Sequence, residues 1–235
     1  MVQMATPRGK WIGARVKRVE DPRFLTGDAR YVADLTLPRM VHAAFVRSPY
    51  GHARIKGIDA SAALAAPGVI AVLTHADVAS VPPLQDPIAL DGLKKTPQTV
   101  LASDKVRFVG EPVAVVIAED RYLAEDAAEL VQVDYEPLPA VTDAEAAMAE
   151  GAPLLFEDLG SNVVYDQTYR FGDPDSAFQQ ADRTFKKRLH TNRFMASPME
   201  TRGCIGQYDR GLGELTFWSS TQMPHMLRLS LAGFL

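Results

Sequence analysis

The residues best placed to do chemistry lie in the stretch SSTQMPHM, residues 219–226. Gln222 carries a carboxamide, which offers two N–H donors and an acceptor without a formal charge. Thr221 and Ser220 add hydroxyls beside it, and Pro224 opens a helix at the position where a missing N–H costs nothing. Taken alone, Gln222 reads as the polar residue that closes that helix start. His225, a lone histidine in a first helical turn, reads as a packing or surface residue. Glu200 in SPMETRG is the other candidate acid; with Arg193 and Arg202 close in sequence, it reads as half of an internal ion pair rather than a catalytic carboxylate.

The remaining reactive residue types exclude more than they suggest. The chain has one cysteine, Cys204, among 235 residues. An iron–sulfur cluster needs about four thiolates, so this chain cannot hold one, and a Cys-rich zinc site or an intrachain disulfide is excluded as well. Cys204 is expected to be a small buried apolar residue. The five histidines, at 42, 52, 75, 190 and 225, never fall at the HExxH spacing of a zinc helix. The sequence therefore contains no recognisable metal cage.

A net charge of −4 and a pI near 5.7 argue against nucleic acid as the main partner. Basicity is concentrated at the N-terminus, where Arg8, Lys10, Arg15, Lys17, Arg18 and Arg23 face only Glu20 and Asp21. Two readings of this stretch stand: a solvated arm, or an arm lying on an acidic partner subunit. MVQMATPRGKW has no apolar run that would serve a signal peptide. No apolar run approaches the roughly 20 residues of a membrane span, and a cytoplasmic location is expected.

The elements that must position these residues are read from pattern. Residues 1–30 look irregular, with a turn at Thr26-Gly27-Asp28. VHAAFVRS is a buried strand; Asp59 caps a short helix that Pro67-Gly68 stops; VIAVLT is a second strand. Residues 79–104 read as a long loop, which is usually functional or in contact with a partner. PVAVVIA is a continuous apolar run expected of a strand covered on both faces. Asp120 caps the next helix, with Leu123, Ala127, Leu130 and Val131 on its apolar face. LVQVDYEPL returns as a strand, by a right-handed crossover if the two are parallel neighbours. No glycine-rich turn lies between strand and helix, so a nucleotide phosphate site is not expected there.

Residues 137–160 read as a linker. VVYDQTYRFG is strand-like, Asp173-Pro174 opens a helix over DSAFQQA, RTFKKRLHTNRF alternates loosely and GELTFWSSTQ alternates well. Met226, Leu227, Leu229, Leu231, Ala232, Phe234 and Leu235 cover most of the last helix, so burial is expected, against a partner or against further polypeptide. Exposure would cost roughly 1.5–3 kcal/mol per side chain.

Five stretches in order resemble the large, molybdopterin-binding subunit of the xanthine dehydrogenase, aldehyde oxidase and carbon monoxide dehydrogenase family. They are IGARVKRVEDPRFLTGDARYVAD, AAFVRSPYGHARI, FVGEPVAVVIAEDRYLAEDAAELVQVDYEPLPAV, ASPMETRGCIGQYD and LTFWSSTQMPHMLRLSLAG. The resemblance implies an α+β chain: an N-terminal arm over 1–19, an α/β hammerhead domain over 20–140, a linker over 141–160 and the start of a molybdopterin-binding domain over 161–235. It implies part of a molybdenum hydroxylase acting on an aldehyde, a purine or an N-heterocycle, or oxidising CO. The cofactor implied is molybdenum–molybdopterin cytosine dinucleotide, shared with further polypeptide, and the iron–sulfur clusters and FAD are implied on partner subunits. Gln222 matches the family glutamine beside an oxo ligand of molybdenum, with Thr221 and Ser220 as weaker cofactor neighbours. The glycine-rich segment and the glutamate base of the family are expected beyond residue 235, so no catalytic residue and no direct metal ligand is assigned within the chain, which is expected to be inactive alone. The alternative is a non-catalytic scaffold docking on the iron–sulfur and flavin subunits.

Overall fold

The computed structural model describes residues 12–84 and 90–234; Arg8, Lys10 and Leu235, named above, lie outside them. In chain order the helices are α1 (Asp21–Thr26), α2 (Ser61–Leu64), α3 (Arg121–Leu130), α4 (Pro174–Gln180) and α5 (Pro224–Ala232). The strands are β1 (His42–Arg47), β2 (Ala53–Asp59), β3 (Val69–Thr74), β4 (Lys105–Val106), β5 (Pro112–Ala118), β6 (Gln132–Pro137), β7 (Cys204–Asp209) and β8 (Glu214–Ser219). The described residues divide into two compact units. One is drawn from Met1–Leu37 and Asn192–Gln222, the other from Pro38–Thr191 and Met223–Leu235.

The larger unit holds two antiparallel sheets, ordered β1-β5-β3 and β4-β2-β6. The apolar run of β5 is central, as its composition demands: Val113, Ala114, Val116 and Ala118 are all buried. Asp120 accepts the Leu123 N–H at 2.9 Å and starts α3. The helix turns Ala124 and Ala127 inward, and Val131 follows them. Leu130, expected on that face, is 43% exposed. Small alanines let α3 lie close to the sheet, and a leucine at its end projects past the edge.

The strand–helix–strand order does not make a parallel crossover. β1 and β3 already occupy both edges of β5, so α3 hands the chain to the other sheet, where β6 pairs antiparallel with β2. One core joins the two sheets. Val46 and Val133 pack against both the Ala53–Ala102–Val106–Val113 cluster and the Ala63–Val116–Ala127–Val131 cluster. The Asp59 carboxylate accepts the Ser61 N–H at 2.9 Å, but the residue at the cap position of α2 is Ala60. Gly68, at φ +73°, makes the reversal into β3.

Residues 141–160 are not a loose connection. Lys105, 4% exposed, is clasped by both carboxylate oxygens of Glu157, with Nζ–Oε2 at 2.6 Å. Arg107 Nε donates to the Leu155 carbonyl at 3.0 Å, and its guanidinium lies 4.6 Å over the Phe156 ring. Asn162 donates to the Ala147 and Pro153 carbonyls. The segment is thereby strapped to the sheet carrying β4.

Two other expectations fail for one reason. The strand-like segment 163–172 and the loosely alternating segment 183–194 form no strand. Alternation sorts side chains between two faces, whereas a strand also needs a neighbour to take its backbone hydrogen bonds, and no described strand lies beside either. Their apolar residues stay out: Phe171 is 88% exposed, Phe185 89% and Leu189 82%. Asp173 does cap α4, accepting from the Ser176 N–H at 3.1 Å. Helix α5 forms with Pro224 in its first turn, but none of its residues is buried. The burial expected of that helix was against a partner or further polypeptide, and nothing among the described residues buries it.

The smaller unit contains α1, a 3-10 turn at Val32–Asp34 and the β7–β8 hairpin. Residues 12–30, expected to be irregular, include α1 because Pro22 suits a first turn and Gly27 closes the helix in the left-handed region. Among the described residues no helix is long and apolar enough to cross a membrane.

Candidate functional site

The hairpin that leads to Gln222 is set by its ladder and its turn. Cys204 pairs with Ser219 and Asp209 with Glu214. Between the strands, the Asp209 carboxylate accepts the Gly211 and Leu212 N–H groups, and the Gly213 N–H returns to the Asp209 carbonyl. The alternation read in GELTFWSS holds as far as Phe217, with Leu215 and Phe217 half-buried and Thr216 exposed, and ends there, because Trp218 and Ser219 are half-buried too.

Ser220 carries the order one residue past the ladder. Its N–H donates to the Gly203 carbonyl at 3.1 Å. Its Oγ accepts the Gly203 N–H at 3.0 Å and donates to the Thr201 carbonyl at 3.1 Å. A residue assigned above as a weak cofactor neighbour is therefore engaged as a backbone clamp. The signal was available: a serine opposite a glycine at a strand end offers both a donor and an acceptor.

Thr221 and Gln222 follow this clamp directly, and both side chains are exposed. The Gln222 amide makes no hydrogen bond among the described residues. It is a neutral double donor standing just beyond a fixed backbone point. That arrangement fits an anionic oxygen of a bound cofactor or substrate, which a carboxylate in the same place would repel. Ser220 limits how far the amide can wander, so the entropy lost on engaging such a group is reduced.

The other candidates resolve differently. Glu200 is not in an ion pair among the described residues; its Oε1 accepts the Val32 N–H at 3.0 Å and ties the 3-10 turn to the hairpin. A backbone N–H with no carbonyl partner at the start of such a turn is a ready site for a carboxylate. Cys204 is exposed rather than buried, because the outward face of β7 has no described layer against it. His225 is exposed, the second of the two placements, packing or surface, read for it. No group of three or more His, Cys, Asp or Glu stands together as a metal site among the described residues. Surface clefts among the described residues include one of about 390 Å³ along Gly57–Asp59 and Gln132–Asp134, and one of about 300 Å³ at Arg23, Phe24, Asp28, Ala29 and Arg30. Gln222 lines neither.

Comparison with known proteins accounts for both halves of the chain. Residues 26–139 match the family described as aldehyde oxidase and xanthine dehydrogenase, a/b hammerhead domain. Residues 155–235 match the molybdopterin cofactor-binding domain. The nicotine 6-hydroxylase large subunit of Paenarthrobacter nicotinovorans is 42% identical over 95% of this chain and 28% of its own length. The carbon monoxide dehydrogenase large chain of Afipia carboxidovorans is 44% identical over 92% of this chain and 28% of its own length. Among solved structures, quinoline 2-oxidoreductase from Pseudomonas putida 86 superposes with a TM-score of 0.85 at 44% identity, over 93% of this chain and 28% of that one. The aldehyde oxidoreductase of Desulfovibrio gigas gives 0.81 at 30% identity, over 92% of this chain and 24% of that one. The chain thus spans about 28% of the length of the first of these relatives. It belongs to the xanthine dehydrogenase, aldehyde oxidase and carbon monoxide dehydrogenase family, carrying the α/β hammerhead domain and residues of the molybdopterin cofactor-binding domain of the large subunit.

Proposed function

We propose that this chain contributes the hammerhead domain and one edge of the cofactor site to a molybdenum hydroxylase, which hydroxylates an aldehyde, a purine or an N-heterocycle, or oxidises CO. We take 20–140 as the hammerhead and 161–235 as the cofactor-binding part, with 1–19 an arm and 141–160 the connection between them. The reading is carried by the Gln222 amide, exposed and without a hydrogen bond among the described residues, two residues beyond the Ser220 clamp. The bound cofactor, read as molybdenum–molybdopterin cytosine dinucleotide, supplies the redox centre and the oxygen that reaches substrate. The protein's part here is orientation. The carboxamide of Gln222 donates to an anionic oxygen without competing as a strong ligand, Thr221 offers a hydroxyl beside it, and Ser220 fixes the backbone from which both project.

The same reading places iron–sulfur and FAD groups on partner subunits in the cytoplasm, since one cysteine cannot hold a cluster. It also explains the apolar segment at 169–199. Phe185 in the larger unit, and Phe194, Met195 and Met199 in the smaller, are each more than 85% exposed, and exposed apolar side chains of this kind are usually covered by other protein. Covered in that way, the chain would also serve the scaffold role, and one experiment separates the two readings. In the assembled enzyme, Gln222→Ala is expected to lower turnover by at least about tenfold with partner binding unchanged. Turnover within twofold of the parent rejects the cofactor contact and leaves the scaffold.

A further inference from the structure

A second feature of the smaller unit is not used by the cofactor site. The cleft of about 300 Å³ beside α1 is lined by Arg23, Phe24, Asp28, Ala29 and Arg30. Its walls are built rather than incidental. Gly27, at φ +78°, reverses the chain, and the Arg23 carbonyl then accepts the Asp28 and Ala29 N–H groups at 2.8 and 3.0 Å. The floor is aromatic: Phe24 lies 5.8 Å from the Tyr31 ring, with the Arg18 and Arg23 guanidinium groups 5.1 and 5.9 Å from its centroid. Arg18 is paired with Asp21 at 2.9 Å. Arg15, Lys17, Arg23 and Arg30 form no ion pair among the described residues.

Charge is also distributed unevenly. The chain as a whole is at −4, and residues 119–160 hold twelve acids against the single Arg121. Acid is therefore plentiful in the chain, yet among the described residues none of it pairs with these four basic side chains. Basic groups without an ion pair among the described residues, with Val19 and Leu25 79% and 86% exposed in the same stretch of chain, fit a partner that brings both a carboxylate and an aliphatic side chain.

We propose that this cleft receives an acidic, aliphatic segment of a partner protein subunit, its carboxylate between Arg23 and Arg30 and its neighbouring side chain on Phe24. The proposal rests on the reading of the chain as one subunit of a complex. Asp28 in the cleft wall disfavours a multiply charged phosphate, while a single carboxylate is held by arginine in forked hydrogen bonds. Protein is therefore the better occupant, and basic charge speeds its encounter.

The test uses the full chain and a short fluorescent peptide of alternating glutamate and leucine, followed by anisotropy at low salt. The double variant Arg23→Glu/Arg30→Glu is expected to bind at least about tenfold more weakly, and Arg183→Glu within about twofold of the parent. Circular dichroism checks folding, and if the double reversal unfolds, Arg23→Gln and Arg30→Gln replace it with the same expectation. Unchanged binding in these variants overturns the proposal, as does equal loss in Arg183→Glu. Displacement of the peptide by pyrophosphate below about millimolar concentration identifies a free-anion site and overturns it too. Molybdenum content of the assembled enzyme is measured separately, so a failure of the cofactor reading is not confused with a failure of docking.

Discussion

Glu157→Gln is the most discriminating single change in the larger unit. Lys105 has a side chain only 5% exposed, and its ammonium sits between both oxygens of a carboxylate that is itself 55% exposed. Removing one partner of a fully buried pair costs about 3–5 kcal/mol, whereas an exposed pair is worth about 0–1. This pair lies between, because water reaches Glu157 but not Lys105. Glutamine keeps the shape and one neutral acceptor and removes the charge. The expected loss at about pH 7 is 1.5–3 kcal/mol, the range for hydrogen bonds to charged groups.

The pH dependence has a definite sign. The hydrogen bond from Lys105 holds the Glu157 carboxyl below its ordinary value. A carboxylate depressed on folding adds stability above its unfolded pKa and loses it as pH falls through the folded one. The gap between parent and variant in urea unfolding should therefore be full near neutrality and close in acid, below the ordinary carboxylate range. Limited proteolysis within 141–160 should quicken in the variant as the strap loosens. A gap below about 0.5 kcal/mol at neutral pH, or one that does not shrink in acid, refutes the reasoning. Pairing Glu157→Gln with Lys105→Met should recover part of the loss, since no buried charge is then left alone.

Asp120→Ala removes the carboxylate that accepts the Leu123 N–H and should cost about 1 kcal/mol, read from the urea midpoint at constant slope. Gly68→Ala forces a side chain onto a residue at φ +73°, with its Cβ 2.5 Å from Leu123 Cδ1; a loss of about 1–2 kcal/mol is expected, and a neutral result would mean the turn re-forms. Ser220→Ala leaves the Gly203 N–H without its hydroxyl acceptor, so amide exchange at Gly203 should accelerate about tenfold while the hairpin's central amides keep their protection.

Much of the local structure was legible in the sequence because its causes are local. Asp120 and Asp173 cap helices since a short acceptor side chain reaches the N–H three residues on. PVAVVIA is a central strand since a run of β-branched and small apolar residues is stable only when both faces are covered. The family, too, was legible, as five motifs in order are a property of the string alone.

What the string did not determine depends on neighbours distant along it. Whether β5 meets β6 depends on which strands already hold the edges of β5. The burial of Lys105 depends on a glutamate fifty-two residues away. The engagement of Ser220 and Glu200 depends on Gly203 and Val32 arriving beside them. The strand-like pattern at 163–172 came with no described neighbouring strand, so no strand formed. Composition sets what a residue can bond to, and tertiary packing decides what is within reach when it folds.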